Sequence, residues 1–98
     1  MLVYYLEEAH PEKFTNTGKP LYYNGSLSSS NASSTHFIRN ALFYTTAEAA
    51  QSDVPLANDW WLPHDYKVKS IPFEELMGHN TQFKFKYIGA SYEERRDL

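Results

Sequence analysis

The side chains able to do chemistry are scattered along the chain. Four histidines, His10, His36, His64 and His79, could ligate a metal or act as general bases, yet none stands three or four residues from another. Neither H-E-x-x-H nor H-x-H occurs, so His64, Asp65 and His79 could converge only through the fold. The serines of Ser26 to Ser34, with His36 and Asp65, hold the parts of a nucleophilic triad, but no G-x-S-x-G elbow fixes an attack angle. The acid pairs Glu7-Glu8, Glu74-Glu75 and Glu93-Glu94 are sequence neighbours, which point to different sides of a strand or helix and make no dyad alone. The four glycines are isolated, so no phosphate cradle is written into the chain. The expectation is a non-enzyme with no catalytic residue, metal or cofactor.

Residues suited to binding are more coherent. Lys67 and Lys69 alternate with Tyr66 and Val68, and Lys84 and Lys86 alternate with Phe83, Phe85 and Tyr87. If these two strands pair, the four lysines share one sheet face and suit phosphates or an acidic protein surface. The plainer alternative is that they solvate the outer face of a half-buried sheet and protect its edges. The charge distribution is bipolar: residues 1–65 hold three basic and seven acidic side chains, and residues 66–98 hold six and five. Trp60 and Trp61 are adjacent, so an extended backbone sends them opposite ways and leaves one as a contact anchor. Tyr22 and Tyr23, beside Asn24-Gly25, complete the expected partner-binding set.

The elements that must position these residues can be read in order. Leu2 to Leu6 is rich in β-formers and predicts a first strand, and Leu21 to Tyr23 a second. Asn24-Gly25 suits a type I′ hairpin turn, and Ser26 to Thr35 forms a small-residue loop or a wide connection. His36 to Arg39 either extends the next strand or turns before it. Ala41 to Tyr44 then runs into Thr45-Thr46-Ala47-Glu48, a capping box with Thr45 as the cap, and Tyr44 and Ala49 are placed as a hydrophobic staple. Pro55 limits that helix to about residues 46–53. Tyr66 to Ile71 and Thr81 to Ile88 alternate as strands, with a second helical turn at about 72–77 between them. The whole predicts an α+β fold, a mainly antiparallel sheet of four to five strands with one helix on a face. The domain occupies residues 1–90, and 91–98 is a charged, frayed tail.

Composition narrows the classes. A chain of 98 residues has room for one core, and 42% hydrophobic with 21% charged is ordinary globular usage. The 16% aromatic content serves first to close a thin core and second to furnish contacts. The absence of cysteine excludes disulfides and thiolate metal sites and suits a reducing cytoplasm. Met1 to Leu6 lacks the charge pattern of a signal peptide, and no run approaches the roughly 18 apolar residues of a membrane span. A net charge of −3 fits neither a wholly basic nucleic-acid binder nor a densely acidic DNA mimic.

The tyrosine-rich opening strand, the strand and capped helix over Phe43 to Ala50, and the strand Tyr66 to Pro72 resemble in layout many small phage-borne accessory proteins. That resemblance implies anti-defence inhibitors, anti-CRISPR proteins among them, acting on a host protein in the host cytoplasm. The expected function is therefore a small binding protein that modulates a host protein by occupying its surface. One alternative is a nucleotide or nucleic-acid binding module using the lysine face with Ser26 to Thr35 as a clasp. Another is a structural component that forms a homo-oligomer through its strand edges.

Overall fold

The first strand, β1 (Leu2–Glu8), organises the sheet because its β-preferring side chains alternate between two buried surfaces. In the structure, a computed structural model, residues 1–25, 34–59, 62–76, 82–86 and 93–96 are described. The remaining strands are β2 (Tyr22–Tyr23), β3 (Ser34–Thr35), β4 (Leu42–Tyr44), β5 (Tyr66–Pro72), β6 (Gln82–Lys86) and β7 (Glu93–Arg96). One edge of β1 pairs with β5 along the full strand, Leu2 opposite Pro72 through to Glu8 opposite Tyr66. The other edge is shared by β4, with Tyr4 opposite Tyr44, and β2, with Glu7 opposite Tyr22. Beyond these lie β3 next to β2, and β6 and β7 next to β4. All pairings are antiparallel except β4 with β6, where Leu42, Phe43 and Tyr44 run parallel to Lys84, Phe85 and Lys86. The fold is thus a small α+β domain built on a curled, mainly antiparallel sheet.

The sheet is apolar on both sides. Helix α1 (Ala47–Asn58) covers one face, closing Ala49, Ala50 and Ala57 over Leu6, Tyr23, Leu42, Tyr44 and Tyr66. On the other face Val3, Tyr5, Ala41, Phe43, Phe83 and Phe85 form a second cluster. Short 3-10 turns at Ile38–Asn40 and Phe73–Glu75 close its margins, bringing Ile38, Phe73 and Leu76 against it. Phe43 is the hub, with the Tyr5, Phe83 and Phe85 rings about it at centroid distances of 6.0 to 6.1 Å.

Several local expectations shift. The helix cap is Thr46, whose Oγ1 accepts from Ala49 N at 3.1 Å, so the cap lies one residue later than the T-x-x-E pattern indicates. Glu48 falls in the first helical turn, where a negative charge suits the helix dipole. The helix also runs through Pro55 to Asn58, because Val54 and Ala57 add apolar contacts that outweigh the missing amide. Asn24 does not adopt the positive φ that a type I′ turn requires, and only Gly25 does, at +81°. Gly25 is needed there twice over, since a Cβ would meet Leu42 Cδ2 at 3.0 Å. The hairpin closes instead by pairing Tyr23 with Ser34, which draws the end of the serine run into β3. Glu93–Arg96, expected in a frayed tail, pairs with β6 as β7. The turn expected at 72–77 is a single 3-10 turn, with Pro72 ending β5.

Candidate binding face

The strand pairing divides the four lysines. Expected to be neighbours, β5 and β6 do not pair: β5 joins β1, and β6 joins β4. Cross-strand partners share a face, so Lys67 (opposite Glu7) and Lys69 (opposite Tyr5) belong to the side away from the helix. Lys84 (beside Leu42) and Lys86 (beside Tyr44) belong to the helix side. There Lys84 Nζ donates to Asn24 O at 2.6 Å, and Lys86 Nζ reaches both Asp53 oxygens at 2.8 and 3.0 Å. Lys86 and the Tyr44 hydroxyl, 2.8 Å from Asp53 Oδ2, together hold the buried Asp53 carboxylate of α1 against the sheet. These two lysines fasten the fold, and the expected single four-lysine patch does not form.

Tyr22 and Tyr23 divide the same way. Tyr23, 2% exposed, is a core residue beneath the helix, its ring 5.7 Å from that of Tyr66, so it does not present a contact surface. Tyr22 lies on the side away from the helix, half-buried at the margin of the second cluster, edge-on to Tyr5 at 5.6 Å and in one cross-strand row with Lys67, Glu7 and Thr35. Burial, and then the nearby Glu7, raise the phenol pKa of Tyr22 and push that of Tyr5 up to about 12. Both therefore stay protonated at neutral pH. Trp60 and Trp61, Tyr87, His79 and Ser26 to Ser33 lie outside the described residues.

At the end of the row, Tyr22, His36, Phe37, Ile38 and Arg39 line a cleft of about 190 Å³. The 3-10 turn after Phe37 positions it: Asn40 N and Ala41 N bond back to Phe37 O and Ile38 O, turning Ile38 toward the core and leaving Phe37 outside. Phe37 is 51% exposed, and the Arg39 guanidinium lies 5.0 Å from its ring centroid. Among the described residues no carboxylate pairs with Arg39. His36 Nδ1 lies 3.0 Å from Pro20 O, so this nitrogen carries the proton and donates. At the sequence level His36 to Arg39 registers only as a turn or strand extension. An aromatic followed at two residues by arginine is the signal that marks it.

A second cluster is buried. Glu8 and His64, 3% and 7% exposed, pair through Nδ1 and Oε1 at 2.8 Å. The Glu8 carboxylate also accepts from Asp65 N and His10 N. The His64 ring is stacked between Phe14 at 4.0 Å and Tyr66 at 4.8 Å. Glu8 thus spends both oxygens on fixing the loop before β5 and the turn after β1. His64 and Asp65 do come together, but in this structural pair: His64 faces Glu8, while the Asp65 carboxylate takes Lys67 at 3.1 Å. No group of three or more His, Asp or Glu among the described residues is arranged to hold a metal ion.

No family model, no curated protein and no solved structure matches this chain. Among the described residues no helix is long and apolar enough to cross a membrane.

Proposed function

We propose that this chain is a small, non-enzymatic binding protein that modulates a larger host protein by occupying its surface. It is of the accessory, anti-defence kind that its layout resembles. The observation that carries this reading is the cleft: an exposed Phe37 stacked by Arg39, with Tyr22 and His36 beside it. An exposed phenylalanine leaves apolar area in water that a partner recovers on covering it. Aromatic and arginine side chains are also the types that dominate binding hot spots. At about 190 Å³ the cleft falls below the roughly 300–1,000 Å³ of small-molecule sites and suits one anchoring side chain of a partner. Lys67 and Lys69 flank the same face and bias it toward acidic surfaces. Dispersal of the lysines over two faces weakens the case for a phosphate-binding sheet.

A tagged pull-down from the cells in which the chain occurs, with and without nuclease, tests the proposal. One stoichiometric protein retained after nuclease supports it. Recovery that disappears with nuclease favours nucleic acid instead.

A further inference from the structure

The geometry points to β5 as a strand-addition site for an extended acidic peptide segment of a partner protein, separate from the cleft. Its basis is which backbone groups of β5 face outward. Ala9 N bonds to Asp65 O at 2.9 Å, and Phe73 N to Met1 O at 2.7 Å, so the odd-numbered residues of this stretch exchange hydrogen bonds with β1. Tyr66, Val68, Ser70 and Pro72 therefore turn their backbone groups away from β1. Tyr66 N confirms the phase, since it donates outward to Asn58 Oδ1 at 2.9 Å.

The outward edge is stopped at both ends. Asn58 occupies the donor of Tyr66, and Pro72 has no N–H. Between them the N–H and C=O of Val68 and Ser70 have no partner among the described residues, and β5 pairs there with β1 alone. A short window of two donors and their carbonyls is what an added strand uses for affinity.

Charge selects the occupant. Lys67 and Lys69 are exposed on one face of this edge, and Lys69 has no acidic partner among the described residues. Lys67 is held only by an exposed pair with Asp65, which is weak. Acidic side chains at alternate positions of an incoming strand would stand opposite both lysines. A second copy of β5 fits poorly: antiparallel registers centred on Val68 or Lys69 set Lys67 against Lys69, or Lys69 against itself.

The test titrates an alternating Glu–Val heptapeptide into isotopically labelled protein, read by amide shifts and amide hydrogen exchange. The expected result is shifts and slowed exchange at Val68 and Ser70, with an alternating Lys–Val heptapeptide failing to bind. Ser70→Pro removes one outward donor and leaves the β1 ladder intact, so it should weaken binding ~10-fold or more at unchanged fold. Should that variant unfold, Lys67→Glu with Lys69→Glu keeps the test open, because it should reverse the preference in favour of the Lys–Val peptide. Shifts confined to Phe37 and Arg39 would place the peptide in the cleft and overturn the edge assignment. Equal binding by a folded Ser70→Pro, no reversal in the double variant, or sedimentation as a dimer through this edge would overturn it too.

Discussion

Glu8 shows how one residue's role depends on what reaches it. Its carboxylate is buried and accepts from His64, Asp65 N and His10 N, so removing it leaves three donors without their acceptor, the buried His64 among them. Glu8→Ala should therefore cost about 3 kcal/mol in denaturant unfolding, against near zero for exposed Glu12→Ala. Part of this was legible. Leu6 and Glu8 share a strand face, so the buried stripe of β1 extends onto Glu8 by period two. The partner lies 56 residues away, and no local pattern announces it. The tyrosines give a second residue-scale prediction. Burial holds Tyr5 and Tyr23 up to about 12 and raises Tyr44 and Tyr66 as well, with Asp53 adding to Tyr44 through its hydrogen bond. An unfolded tyrosine loses its proton near 10, whereas these stay protonated until higher pH. The stability they contribute is complete below pH 10 and is lost as pH climbs from 10 through 12 and above. Alkaline titration followed by phenolate absorbance should show these tyrosines ionising together with unfolding, not independently near pH 10.

Among the elements, the sequence predicts the capped helix α1, and the structure moves both its cap and its C-terminal end later in the chain. Two threonines precede the helix, and sequence spacing favours Thr45 because it stands three before Glu48. Packing of Tyr44 into the core draws Thr45 into the turn and makes Thr46 the cap. Thr46→Ala should cost about 1 kcal/mol and Thr45→Ala much less, a contrast that thermal denaturation resolves. Pro55 sits inside the helix without an amide to donate, so Pro55→Ala should stabilise the protein by about 1–3 kcal/mol in the same assay. The alternation predicted for β5 and β6 is present in the structure, with Tyr66 and Val68 opposed to Lys67 and Lys69, and Phe83 and Phe85 opposed to Lys84 and Lys86. A two-residue period orders faces within one strand and says nothing about which strands pair. That choice was set by the full-length β1–β5 ladder and the parallel β4–β6 contact, and it sent the lysines to opposite faces.

For the whole molecule, this division has a functional consequence. One side of the sheet is closed by α1, and there Lys84, Lys86, Tyr23 and Asp53 are engaged internally. The other side carries Lys67, Lys69, Tyr22 and the Phe37–Arg39 cleft toward solvent. A chain with net charge −3 thus sets Lys69 and Arg39, which have no acidic partner among the described residues, and the exposed Phe37 on the same side. This asymmetry is the ground for reading the margin that bears Phe37, Arg39, Lys67 and Lys69 as the working surface. The most direct measurement of that claim compares capture of the partner from nuclease-treated lysate by three folded proteins: wild type, Phe37→Ala with Arg39→Glu, and Lys13→Glu as a surface control. The account predicts one stoichiometric partner on the wild type and on the control, reduced ~10-fold or more on the cleft variant. Equal capture by all three, with the cleft variant folded, would contradict it.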